Sequence, residues 1–128
     1  MANLSLVNQA NRLANARPRA RILLVDDDER NLMALTEVLN DLAEVVTATS
    51  GREALRQLLR GEFAVILLDV NMPGLGGVEA TRQIKRDLPD THVLIFTGQE
   101  SEALVHQLFS AGARGFVLKS EAAETLVP

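Results

Sequence analysis

Three consecutive aspartates, Asp26, Asp27 and Asp28, directly follow the short apolar run "RILLV" at 21–25. Asp69 closes a second apolar run, Phe63–Leu68. Thr97 follows "HVLIF" at 92–96, and Lys119 follows "RGFVL" at 114–118. Each residue has an ordinary explanation by itself. Aspartates cap helices and favour the positive end of the helix dipole, and Asp28 is the expected cap. Asp69 can brace a turn through its own backbone. Thr97 can be a β-branched strand residue, and Lys119 a solvated surface lysine. What they share is position, each falling at the end of a strand-like run. Crowded carboxylates raise one another's proton affinity and destabilise a fold, and a divalent cation relieves that. With few ligands, all of them oxygen, Mg2+ fits best, because it keeps several waters and uses one or two carboxylates. Three carboxylates, a dication and one lysine come close to neutral, so the cluster tolerates an incoming phosphoryl group. With Asp69 as nucleophile the product is an acyl phosphate, whose oxygens Thr97 and Lys119 can hold.

The elements that must position these residues alternate along the chain. "RILLV" reads as a first strand. Leu32, Leu35, Val38, Leu39 and Leu42 then repeat at helical spacing over Asp28–Asn40. "EVVTA" at 44–48 is β-branched, and Gly51–Arg60 returns to helical period with Ala54, Leu55, Leu58 and Leu59. "FAVILL" at 63–68 is a buried strand. Val78, Thr81, Ile84 and Leu88 mark a helix closed by Pro89. "HVLIF" is a fourth strand, and Leu104, Val105, Leu108 and Phe109 stripe a helix over Glu100–Ser110 that Gly112 ends. "RGFVL" is a fifth strand, and Ser120–Val127 begins a last, short helix. Strands alternating with helices give an α/β fold with a parallel sheet covered on both faces. Right-handed crossovers make that an open doubly wound sheet, whose sites lie beyond the carboxyl ends of the strands. The aspartates, Thr97 and Lys119 occupy those ends, and only the second strand offers no such group. Pro73, Gly74, Gly76 and Gly77 leave room around Asp69.

Composition narrows the alternatives. The chain has 128 residues, the size of one domain. Without cysteine there are no disulfides and no thiolate metal sites. No apolar run approaches the ~20 residues of a membrane helix, so no membrane association is expected. Residues 1–20 carry three arginines, Arg12, Arg17 and Arg19, and no acid. Residues 21–128 hold the remaining ten basic and all seventeen acidic side chains. So acidic a domain is a poor DNA binder, and no direct nucleic-acid contact is expected of this chain. Residues 1–20 read as a leader or linker, with at most a short helix, and 21–128 as the domain.

From Arg21 to about Val127 the chain resembles a receiver domain of a bacterial two-component response regulator. The resemblance rests on "ILLVDDDERN", "VILLDVNMPGLGG", "IFTGQ" and "GARGFVLKS" in this order and spacing. It implies a five-stranded flavodoxin-like sheet of order 2-1-3-4-5. It also implies a cytoplasmic phosphorelay switch rather than an enzyme, one that assists its own phosphorylation and dephosphorylation. Asp69 would accept phosphate from a phosphohistidine on a histidine kinase or phosphotransfer protein. Asp27 would bind Mg2+ directly and Asp26 mostly through water, with Asp69 and the backbone carbonyl of Asn71 completing the protein ligands. Thr97 and Lys119 would contact the phosphoryl group. Thr97 and Phe116 would form the switch, although Phe116 also reads as an ordinary core phenylalanine. Output domains or partner proteins, or a second copy in a homodimer, would dock on the 100–127 face.

Some positions depart from the pattern. Ser120 stands where many receivers have proline, which puts the usual strained peptide there in doubt. Gly98 replaces the commoner alanine and should open the pocket. Asn71 and Gln99 occupy positions that tune phosphate loss in the family. The last helix spans eight residues, about 12 Å, as in a piece of a longer regulator. Three other classes compete. A Mg2+-dependent aspartyl-phosphate phosphatase would want an aspartate where Asn71 stands. A flavodoxin-like cofactor binder would want a hydroxyl-rich loop where three aspartates stand. A receiver-like module that is never phosphorylated would not need the full acceptor set. His92 and His106 fit a strand edge and a helix surface better than a phosphohistidine role.

Overall fold

The computed structural model describes residue 6 and residues 20–71, 76–98 and 101–119. Among the described residues from 20 on, strands β1 (Arg21–Val25), β2 (Glu44–Ala48), β3 (Val65–Asp69), β4 (His92–Thr97) and β5 (Gly115–Leu118) alternate with four helices. These are α1 (Glu29–Leu39), α2 (Gly51–Arg60), α3 (Gly77–Asp87) and α4 (Glu102–Ala111). All strand pairs are parallel, in the order β2-β1-β3-β4-β5. The last helix expected over Ser120–Val127 lies outside the described residues, as do Pro73, Gly74 and Gln99.

Side chains alternate across the pleat, and the buried strands therefore feed two cores. Ile22, Leu24, Val65, Leu67, Leu94 and Phe96 meet Leu32, Leu35 and Leu39 of α1 on one face. Leu23, Val25, Ile66, Leu68, Val93 and Ile95 meet Ala54 of α2, Ile84 of α3 and Leu108 of α4 on the other. Every residue of β3 is buried, so its near-continuous apolar run reads as a strand covered twice. The strand starts two residues later than the run, at Val65. Phe63 is nonetheless buried, with the Arg21 guanidinium 4.5 Å over its ring.

Local chemistry sets the helix ends. Asp28 caps α1 by accepting from the Arg30 N–H. Ser50 caps α2 by accepting from the Glu53 N–H, and Glu53 reaches back to the Thr49 N–H and hydroxyl. Ser101 caps α4, which therefore starts at Glu102 rather than Glu100. Gly112 ends that helix at φ 113°, and a Cβ there would meet Lys85 Cγ at 2.7 Å, so both backbone and space call for glycine.

Two helical stripes are less buried than their periodicity predicts. On α2 only Ala54 is buried; Leu55 is 54% exposed and Leu59 88%. On α4 Leu108 and Ala111 are buried, Leu104 and Val105 are half-buried and Phe109 is exposed. Both helices rest on a sheet whose edge strands are themselves partly exposed, and a short helix there can bury only one narrow row.

Leu6 is 5% exposed and belongs to the same cluster as Ile22, Leu35 and Phe96. A buried leucine contributes to stability wherever it falls in the sequence. Leu6→Ala is expected to lower the unfolding free energy by about 2–3 kcal/mol. Leu59→Ala should stay within about 0.5 kcal/mol. Urea unfolding midpoints measure both, and equal midpoints for the two variants would contradict the assignment of Leu6 to the core.

Candidate phosphoacceptor site

The carboxyl ends of β1, β3, β4 and β5 bring the predicted residues together. Asp26 follows β1 and is 2% exposed; Asp69 ends β3 and is 1% exposed; Thr97 ends β4 and is 1% exposed. Register places Asp69 beside Phe96 and Thr97 beside Leu118, the residue before Lys119. The sheet thus sets these groups side by side across neighbouring strands. Carboxylate oxygens of Asp26, Asp27 and Asp69 all lie within 4.8 Å of one another. Asp27 is exposed and makes no hydrogen bond or ion pair with the described residues, which leaves it turned to solvent at the mouth of the cluster.

Each buried carboxylate is held by backbone and by Lys119. Asp69 Oδ1 accepts the Asn71 N–H at 2.9 Å, and Asp69 Oδ2 accepts Lys119 Nζ at 2.9 Å. Asp26 Oδ1 accepts the Asp28 N–H at 2.8 Å, and its Oδ2 lies 3.5 Å from Lys119 Nζ. Lys119 therefore bridges both buried acids, with its ammonium 5.6 Å from the Phe96 ring centroid. Burial pushes the Asp69 carboxyl above its ordinary value. The Asn71 N–H and Lys119 hold it down, and the neighbouring Asp26 pushes it up again. Burial alone would lower Lys119, but its contacts with Asp69 and Asp26 prevail and hold it above the usual lysine value.

Asn31 was not singled out by sequence. Its Nδ2 donates to Asp26 Oδ2 at 3.1 Å and fixes the inner acid. An amide in the first turn of a helix, five residues after an acidic strand end, is the signal that could have found it. Asp28 serves as the helix cap, as expected, and stands apart from the acid cluster. Asn71 adjoins the cluster through its own N–H, and its side-chain nitrogen lies 3.6 Å from where a Gly98 Cβ would stand. Gly77 packs against Val70 so tightly that a Cβ would meet Val70 Cγ1 at 2.6 Å, which brings the start of α3 against the turn after Asp69.

Phe116 is not a core phenylalanine. It is 41% exposed on β5 and packs edge to face with Phe109, 6.1 Å between ring centroids. Thr97, Leu104, Val105, Phe109 and Phe116 line one tight crevice, too narrow to admit a water molecule. His92 opens β4 at the far end of the sheet from Asp69, and His106 is exposed on α4. Burial, Arg114 and Lys85 lower His92, with Asp90 opposing, and so favour its neutral form. No helix among the described residues is long and apolar enough to cross a membrane.

The chain that carries this acid cluster is similar in sequence and in fold to known proteins. The response regulator GacA of Pseudomonas viridiflava is 39% identical over 102 residues, covering 77% of this chain and 48% of GacA. The chain spans about half the length of the curated relatives it matches. Among solved structures, Vibrio cholerae CheY4 superposes with a TM-score of 0.76 at 33% identity, covering 85% of this chain and 93% of that one. The BeF3-activated DrrB receiver domain superposes with a TM-score of 0.74 at 32% identity, covering 83% and 93%. The family model of the response regulator receiver domain matches residues 22–128, from β1 through the last residue, and the chain belongs to that family.

Proposed function

We propose that this domain is a phosphorylation-dependent switch of two-component signalling, acting in the cytoplasm, with Asp69 as the phosphoacceptor. The observation that carries the reading is the Asp69 carboxylate: buried, raised in proton affinity, hydrogen-bonded to Lys119, and within 4.8 Å of two further acids. A relative of the same fold has been solved in a BeF3-activated form, and that supports the reading. The donor is a phosphohistidine of a histidine kinase or phosphotransfer protein.

An Asp69 oxygen forms the new P–O bond as the donor's P–N bond breaks, and the imidazole leaves with the electron pair. Lys119 then transfers from the carboxylate to a phosphoryl oxygen, and the Thr97 hydroxyl donates to another. Asp26, Asp27, Asp69 and the Asn71 carbonyl suit a hard dication with oxygen ligands, and Mg2+ bound there supplies charge neutralisation of the phosphoryl oxygens. Two buried acids facing one lysine leave excess negative charge, which is the local reason a cation fits. The chain's own contribution is to hold the acceptor in place and to shield it from water.

The signal leaves through Thr97. Drawing its side chain toward the phosphoryl group opens the cleft beneath Phe116, and that ring can turn inward away from Phe109. An output domain or partner protein, or a second copy, recognises the altered α4–β5 surface. Because the matched relatives are about twice as long, an output module beyond this domain is part of the same reading.

Three measurements test it. After incubation with Mg2+ and a small phosphodonor, intact mass should rise by one base-labile phosphoryl group, and Asp69→Asn should abolish the gain. Equal labelling of the variant would remove Asp69 as acceptor.

Mg2+ should raise the melting temperature in proportion to its saturation. Asp27→Ala should abolish that response while shifting metal-free stability by no more than about 0.5 kcal/mol, since Asp27 is exposed. The response should also fade in acid. Asp69 is raised in the fold, so its contribution to stability is present below the ordinary carboxylate value and lost as pH rises through the folded value. At neutral pH the ionised group therefore burdens the metal-free protein and is open to the metal. As pH falls through the raised value, protons displace Mg2+. A thermal shift as large at pH 4 as at pH 7 would exclude Asp69 as a ligand.

Finally, a phosphoryl mimic should change the association of the α4–β5 face with itself or with a kinase or output partner, because only differential affinity for two states shifts a population. Val105→Glu should remove the change. Sedimentation unaltered by both mimic and variant would place the output surface elsewhere.

A further inference from the structure

Five large apolar side chains are exposed among the described residues: Met33, Leu55, Leu59, Phe109 and Phe116. The two phenylalanines belong to the α4–β5 face. The other three lie on α1 and α2, on opposite faces of the sheet, because α1 packs on one core and α2 on the other. Each is flanked by side chains of like charge spaced four residues apart. On α2, Arg52, Arg56 and Arg60 recur every four residues around Leu55 and Leu59, and all five are exposed. The helix's one acid, Glu53, is bonded back to Thr49. None of the three arginines has an ion pair or hydrogen bond to the described residues. On α1, Glu29, Met33 and Glu37 recur every four residues and are exposed, with Met33 at 66%; the exposed Arg30 beside them is ion-paired with Asp28. Residues four apart share one helix face. Each stripe therefore runs eight residues, about 12 Å, one acidic with an apolar centre and the other basic with two apolar residues.

We infer that these stripes are complementary halves of one contact, in which α1 of one copy of this chain docks on α2 of the next. The occupant of the basic stripe is a second copy because the matching charge, spacing and apolar centre are present on the chain itself. Beside the basic stripe lies a groove between α2 and α3 of about 530 Å3, lined by Arg52, Leu55, Leu58, Glu79, Gln83 and Ile84. Met33 is flexible and polarisable and suits an irregular groove of this kind. Glu29 and Glu37, on either side of it, face the arginines. Since the two stripes lie on opposite faces, the contact is heterologous and joins copies head to tail. One helix pair is a small interface, so association is weak, and salt weakens it further. The contact does not involve Asp69 itself.

Sedimentation velocity on the whole chain, up to about 1 mM and at low salt, tests this. The sedimentation coefficient should rise with concentration, and raising salt from about 0.05 to 0.5 M should lower the association constant severalfold. Met33→Lys/Glu37→Lys removes one stripe and Arg56→Glu/Leu59→Glu the other, and each variant alone should lose at least tenfold in association. An equal mixture of the two restores one intact pair of stripes and should give a 1:1 dimer that grows no further. Circular dichroism melts verify that both variants fold, and Met33→Gln/Glu37→Gln with Arg56→Gln/Leu59→Gln repeats the test with neutral side chains. A chain that stays monomeric throughout overturns the inference, as does association that neither pair of substitutions changes. Binding of an acidic, leucine-rich peptide to α2 of a monomeric chain would assign the stripe to a different protein and overturn it equally.

Discussion

Lys119 holds two carboxylates that the sheet has taken out of water. Asp26 and Asp69 are both nearly inaccessible, and removing a charged acid from solvent costs several kcal/mol unless it is paired. A single ammonium, 2.9 Å from one acid and 3.5 Å from the other, cannot neutralise both. The remainder is met by directed donors: the Asn71 and Asp28 N–H groups and the Asn31 amide. Even so, burial outweighs these donors at Asp69, whose proton affinity stays raised. The edge is therefore an electrostatic site with an unmet demand for positive charge, held open by a rigid frame.

That frame explains why the demand persists. β1 and β3 are buried almost throughout and paired on both sides, so neither can move to separate the acids. Close-packed interiors transmit strain rather than absorb it. Parallel strands also end together, which forces consecutive strand ends into one row. A side chain at such an end has a neighbour fixed by register, as Thr97 has in Leu118 and Asp69 in Phe96.

Register of this kind is what made much of the molecule legible from sequence. The apolar runs of β1, β2 and β4 and the capping residues Asp28 and Ser50 mark their elements to within a residue or two. Asp26, Asp27, Asp69, Thr97 and Lys119 declare themselves by following the apolar runs of β1, β3, β4 and β5. Periodicity was a poorer guide to burial. Leu55, Leu59 and Phe109 keep helical spacing yet stay exposed, since a spacing rule counts rows and cannot know how wide a sheet lies beneath them. Phe116, named as a switch residue, fails its alternative reading as a core phenylalanine for a related reason: β5 is an edge strand, where an outward residue meets solvent or a neighbouring ring instead of a second layer. Asn31 was missed because a polar residue in a first helical turn has no periodic signature, and its role exists only through the bend that returns it to Asp26. Leu6 lies far from every strand in sequence, so only the folded core shows its use.

The difference between deep and shallow elements also bears on how a change at Asp69 can travel. β3 and β4 are packed on both faces, and displacing them would open voids at a cost of kcal/mol. α4 buries Leu108 and Ala111, with Leu104 and Val105 half covered. Elements with few buried contacts open or shift at low free energy. α4 is the helix whose Leu104, Val105 and Phe109 line one crevice with Thr97 and Phe116, so a displacement of Thr97 reaches it first. α1 is different, since Leu32, Leu35 and Leu39 anchor it in the opposite core. A contact built on the later turns of α1, beyond Asn31, would feel less of a change at Asp69 than one built on α4. The same sheet can therefore carry one surface that responds more and another that responds less, the division being set by how deeply each helix is seated.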